Sequence, residues 1–125
     1  MKSIKIGNKE ITVEKPKSLA LLFEFAIAWS TSEDAISNAR LCAAAIGIYI
    51  DKHAILPKYR PPKDTPISYG YKCLERLLEL KVAGSDVYDV GTELLSDMAR
   101  SLPRTEVIEE KQDFFPSENM EDGSI

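Results

Sequence analysis

The stretch Ser18-Leu19-Ala20-Leu21-Leu22-Phe23-Glu24-Phe25-Ala26-Ile27-Ala28-Trp29 decides the fold. Leu19, Leu22, Phe23, Ala26 and Ile27 recur at i, i+3, i+4, i+7 and i+8, the spacing of a helical stripe that faces a core. Leu21, Phe25, Ala28 and Trp29 add a second apolar stripe on another side, and Glu24 is the only charge between Leu19 and Ser32. A helix apolar over so much of its circumference is either central to the core or shared with a partner. Leu21, Phe25 and Trp29 are therefore at once core candidates and candidate partner-binding residues, because large apolar side chains serve in both places.

Upstream of this helix, residues 1–15 read as a β-hairpin. Ile4 and Ile6 alternate with Lys5, Gly7-Asn8 supplies the turn, and Ile11 and Val13 alternate with Thr12. The alternation sends all four aliphatics to one face, which must pack on something because a lone hairpin is marginal in water. Downstream, Ser30 and Glu33 stand at capping-box spacing and predict a second helix running to about His53. Ala39, Ala43 and Gly47 lie four apart on that helix, so a neighbouring backbone can come close.

Residues 54–65 cannot stay helical. Pro57, Pro61, Pro62 and the following Pro66 each remove a donor and restrain the residue before them. Thr65-Pro66 then forms an N-cap and first-turn pair for a third helix to about Val82. Its expected inner face is Ile67, Tyr71, Leu74, Leu77 and Leu78. Gly84 is expected to end it, and Ser85 to cap a fourth helix with the stripe Val87, Gly91, Leu94, Met98 and Leu102, closed by Pro103. Residues 17–53 and 66–102 thus hold two helices each. The expected fold is mainly α: a compact bundle of about four helices in one domain, residues 1–103, opened by the hairpin.

Residues 104–125 differ in kind. They hold seven acids and two bases, leaving 14 bases and 13 acids in residues 1–103. Apolar periodicity stops there too, so an unstructured acidic tail is expected. Its aromatics are the pair Phe114-Phe115, which reads either as a docking segment for a partner or as a tail that folds back on its own body. A nearly neutral body with an acidic tail argues against nucleic acid as a partner, which requires concentrated positive charge.

No chemistry-bearing motif stands out. Cys42 and Cys73 lie inside apolar helical stretches without a second thiol or a histidine at ligand spacing, so two reduced, buried thiols are expected rather than a disulfide or a zinc site. The sole histidine, His53, reads as a helix-end residue. Asp86, Asp89, Glu93 and Asp97 form one helix face, but the Glu-x-x-His pairs that carboxylate metal sites use are missing, and a solvated face is expected. Lys52, His53, Lys58, Tyr59, Arg60 and Lys63 make a basic stretch with an aromatic, which could contact nucleic acid but reads better as a solvated connector. No catalytic residue, cofactor or metal is assigned, and the chain reads as non-enzymatic. The longest uncharged apolar run, Leu41 to Ile50, with its neighbour Asp51 already charged, is too short to cross a bilayer, and the N-terminus lacks a signal-peptide core, which points to the cytoplasm.

The layout resembles the tail assembly chaperones of long-tailed bacteriophages and prophages. The matching features are Ile4-Lys5-Ile6-Gly7-Asn8-Lys9-Glu10-Ile11-Thr12-Val13, then Pro16 and an apolar helix, a compact helical body, and an acidic C-terminus. What the resemblance implies is an accessory factor in the host cytoplasm that binds the tape measure protein, keeps it soluble, and helps the tail-tube protein assemble around it. It also allows a homo-oligomer and a longer form made by frameshifting. No residue role can be carried over position by position. A helical DNA-binding regulator and a structural virion or head-tail connector component are the alternative readings.

Overall fold

The computed structural model describes residues 3–6 and 8–101, and it is mainly helical with an N-terminal antiparallel hairpin. Strands β1 (Ser3–Ile6) and β2 (Lys9–Thr12) pair with Ile4 opposite Ile11 and Ile6 opposite Lys9. Four helices follow: α1 (Leu19–Thr31), α2 (Ala35–Tyr49), α3 (Pro66–Glu79) and α4 (Gly84–Ser101). As the alternation predicts, Ile4, Ile6, Ile11 and Val13 are all buried. The exit of the hairpin is tied to the bundle where the Glu14 N–H donates to the Tyr49 carbonyl at 2.8 Å. That bond satisfies one of the carbonyls left open at the end of α2.

The central element is α2, not α1. Every residue from Leu41 to Ile50 is buried. Helix α3 packs along one side of α2 and α4 along another, while α1 lies chiefly on α4. Glycines set these distances. A Cβ at Gly70 of α3 would strike the Arg40 carbonyl oxygen and sit 2.5 Å from its carbonyl carbon, and one at Gly91 of α4 would sit 2.5 Å from the Cys42 Cα. At Gly47 the close neighbour is side chain rather than the backbone expected there: a Cβ would lie 2.8 Å from the Cys73 Sγ and against the Tyr69 hydroxyl. Close approach of this kind is available only where a side chain is absent.

Because α2 takes the centre, α1 buries one seam rather than two stripes. Leu22, Phe25, Ala26 and Trp29 are buried, Leu21 and Phe23 are half-buried, and Leu19 and Ile27 face outward. The seam draws members from both stripes seen in the sequence. Helix α3 is similarly rotated from its expected inner face. Tyr69, Gly70, Cys73 and Leu77 point inward, whereas Tyr71 and Leu78 are exposed. The contact at Gly70 fixes that rotation. Helix α4 buries Val87, Gly91, Leu94 and Met98 as expected, together with Leu95 and Ala99; Leu102 lies outside the described residues.

The helix ends follow local chemistry, and several differ from what the sequence suggests; Ser85, expected to cap α4, lies inside that helix, which already begins at Gly84. Thr65 caps α3 in a reciprocal box with Ser68, with Pro66 in the first turn. Helix α2 is capped by Asp34, whose carboxylate accepts from the Ser37 N–H at 2.7 Å; Ser30 is still inside α1, its hydroxyl donating to the Ile27 carbonyl. The end of α3 is a Schellman turn in which Lys81 donates to the Leu78 carbonyl and Val82 to the Leu77 carbonyl. Lys81, at φ 62°, holds the left-handed position that Gly84 was expected to supply. After α2 ends at Tyr49, a single 3-10 turn spans Asp51–His53 and is closed by Ala54 at φ 56°.

Candidate interaction surfaces

The proline-rich connector is packed, not loose. The Tyr69 hydroxyl donates to the Pro57 carbonyl at 2.7 Å, and the Tyr59 ring meets Phe25 and Tyr69 edge-on with centroids 5.1 and 5.2 Å away. Asp64 is buried and accepts from the Arg60 N–H at 2.9 Å and from the Lys72 ammonium at 2.7 Å. Those two bonds, the lysine first, hold its carboxyl below the usual carboxylate range. Asp64 thereby fastens the connector to α3, a role the sequence did not suggest. Tyr59, the aromatic of the basic stretch, is committed to internal ring packing, and Lys52 and Lys58 are paired with Glu14 and Asp51.

With the connector held on one side and the Glu14–Ser18 segment on the other, an open cleft of about 490 Å³ forms over the end of α2. Ile48 and Tyr49 belong to α2, Leu21 to the first turn of α1, and Tyr59 and Pro61 to the connector. Ser18 sets the start of α1 by accepting from the Leu21 N–H at 3.2 Å. Four lysines, Lys15, Lys17, Lys52 and Lys58, line the cleft against two acids, Glu14 and Asp51. Lys52 pairs with Glu14 at 2.5 Å, Lys58 with Asp51 at 3.6 Å, and Lys15 with Asp97 at 3.4 Å. Among the described residues Lys17 makes no ion pair. Tyr49 donates to Asp97 at 2.9 Å, and its phenol is pushed up by burial and then by that carboxylate. Lys15 also donates to the Ser101 hydroxyl at 2.5 Å, so the end of α4 stands beside the cleft.

A second surface runs along α3. Ile67, Tyr71, Leu74 and Leu78 follow i, i+4, i+7 and i+11; Ile67 and Leu74 are half-buried, Tyr71 is 49% exposed and Leu78 77% exposed. The Arg40 guanidinium sits 5.3 Å from the Tyr71 ring centroid and holds that ring against α2. Ile36, one turn before Arg40 and 66% exposed, carries the apolar row onto α2.

These positions correct part of the expected partner-binding set. Phe25 is fully buried and Trp29 nearly so, because α1 turns that seam onto the core; neither is presented to a partner in this structure. Leu21 remains accessible, in the cleft. Phe114 and Phe115 lie outside the described residues. Lys15 and Lys17 also line this cleft; their local signal is the run Glu14-Lys15-Pro16-Lys17 between hairpin and helix, charge packed around a proline where the chain changes direction.

As for reactivity, burial raises the Cys42 thiol and pushes the Cys73 thiol up to about 12, so both stay protonated near neutral pH. Among the described residues no group of three or more His, Cys, Asp or Glu converges as a metal site would require, and no helix is long and apolar enough to cross a membrane. Compared with models of protein families, with curated proteins and with solved structures, the chain matches none.

Proposed function

We propose that this chain is a non-enzymatic interaction factor that acts in phage tail assembly, binding the helical tape measure protein in the host cytoplasm and helping tail-tube subunits assemble around it. The observation that carries the reading is the apolar row Ile67-Tyr71-Leu74-Leu78 on α3, left partly uncovered beside a filled core. Eleven residues of helix span about 16 Å, enough for three turns of an amphipathic helix to lie alongside. Recognition of that kind uses apolar anchors recurring on one helix face, and the row supplies them at i, i+4, i+7 and i+11. The layout of hairpin, apolar helix, helical body and acidic end supports the phage assignment.

Co-expression with the very long helical protein encoded nearest to this chain tests the reading. Wild type is expected to keep that protein soluble and to co-purify with it, and the double variant Tyr71→Ser/Leu78→Glu is expected to lose it while its thermal melt stays near that of wild type. Full recovery of the partner by the double variant would refute the assigned surface. Presence of the chain in purified virions would refute the role of an assembly factor.

A further inference from the structure

The cleft over the end of α2 has a second partner within reach: the rest of this chain. We propose that the lysine-lined cleft is the docking site for the chain's own acidic C-terminal segment, residues 104–125, with Phe114 and Phe115 as the side chains that enter it. This does not depend on the phage assignment and uses a surface separate from the α3 row.

Three observations converge. The first is where the segment is attached. Lys15, which lines the cleft, donates to the Ser101 hydroxyl, so Ser101, the last described residue before the segment, stands at the rim. Twelve residues separate Ser101 from Asp113-Phe114, and at about 3.3 Å each they reach up to ~40 Å, longer than the roughly 27 Å of α4. The second is charge. The segment holds seven acids and two bases, and the cleft holds four lysines against two acids, with Lys17 outside any ion pair among the described residues. The third is shape. Leu21, Ile48, Tyr49, Tyr59 and Pro61 give the cleft an apolar lining beneath its charged rim, and Phe114-Phe115 is the only aromatic pair of the segment in the sequence, flanked by Asp113 and Glu118. An apolar cleft whose rim carries more lysines than acids suits aromatics flanked by acids.

Attachment decides between the chain's own segment and that of a second copy. A segment tethered at the rim is present at an effective concentration near the millimolar range, well above that of a free copy in a micromolar solution.

The full chain carrying Ser117→Cys, labelled there with a nitroxide, tests this by paramagnetic broadening of amide signals. The native thiols are buried, so the label goes to position 117. Docking predicts loss of amide intensity at Lys17, Ser18, Leu21, Tyr49 and Tyr59. It predicts recovery of those signals with Phe114→Ser/Phe115→Ser, with Lys17→Glu/Lys58→Glu, and in about 1 M salt, where screening shortens to about 3 Å. Lys17 and Lys58 are exposed, and the amide spectrum of each variant reports directly whether the fold is kept. Absence of broadening at the cleft, or broadening unchanged by either double variant, overturns the proposal. Broadening of an unlabelled chain by an added labelled one would assign the cleft to a second copy and overturn it equally.

Discussion

Replacing Gly70 with alanine should destabilise the protein, although alanine is the better helix former. The intrinsic preference favours alanine by about 1 kcal/mol in a helix interior. Against it stands the contact with α2. The added Cβ would lie 2.5 Å from the Arg40 carbonyl carbon and closer still to its oxygen, where carbon pairs settle at about 3.5–4.0 Å. Helix α3 must therefore retreat by about 1 Å, and a gap of that size forfeits a quarter to a half of the dispersion energy wherever it opens. The obstruction is backbone, which cannot swing aside as a side chain can, so the cost belongs at the upper end of the overpacking range, about 3 kcal/mol. The net effect is a loss of ~2 kcal/mol, or a melting temperature about 8 °C lower for a chain of this size. Gly84→Ala is the internal control, because nothing lies within 4 Å of a Cβ there. That variant should melt at or slightly above the wild-type temperature, gaining at most about 1 kcal/mol. Urea titrations followed by circular dichroism at a helix band read both. If Gly70→Ala is as stable as wild type, α2 and α3 are not as close as described and the glycine-set spacing is wrong.

Other consequences can be measured with the same preparations. Lys81→Gly should stabilise the protein by about 0.5–1 kcal/mol, because a non-glycine residue in the left-handed region costs about 1–2 kcal/mol and part of the relief is offset by a freer unfolded chain; an unchanged urea midpoint would contradict the Schellman geometry. The carboxyl of Asp64 is held low in the folded state, so its stabilisation is complete above the ordinary aspartate range, near pH 4, and is lost as pH falls through the depressed folded value. Urea midpoints between about pH 2 and 6 should therefore fall steeply on the acid side for wild type and less steeply for Asp64→Asn, with Glu14 and Asp34 supplying the acid dependence that remains. Cys42 and Cys73 should react with a thiol reagent at pH 8 only as fast as the protein opens, so that labelling accelerates in step with urea-induced unfolding; rapid labelling of the folded chain would contradict their burial.

Legibility in the sequence tracked how local each cause is. The hairpin is written in Ile4, Ile6, Ile11 and Val13, and the start of α3 in Thr65-Pro66, because alternation and capping need only near neighbours. Small residues on α2 suggested a close backbone approach at Gly47, but the backbone contacts fall at Gly70 and Gly91 of the facing helices, and Gly47 instead makes room for the Tyr69 and Cys73 side chains. Phe25 and Trp29 could not be sorted between core and interface from their spacing, because that depends on which helix takes the centre. The same applies to Tyr71 and Leu78, which share a helical face with core residues until the Gly70 contact fixes the rotation of α3. Asp64 looks like an ordinary loop acid, and only the fold brings Lys72 and the Arg60 N–H to it. The cleft joins residues from four separate stretches of chain, so no window of sequence contains it.

The burial of α2 from Leu41 onward has a consequence for synthesis. Its apolar residues leave the ribosome some fifty positions ahead of Leu95 and Met98, the α4 side chains that complete the cover. At roughly 5–20 residues per second, the nascent helix waits about 3–10 s with its greasy surface bare. A message cut short before α4 would release a product unable to shield that helix, and such fragments should be found in inclusion bodies or in the hands of the cell's folding machinery.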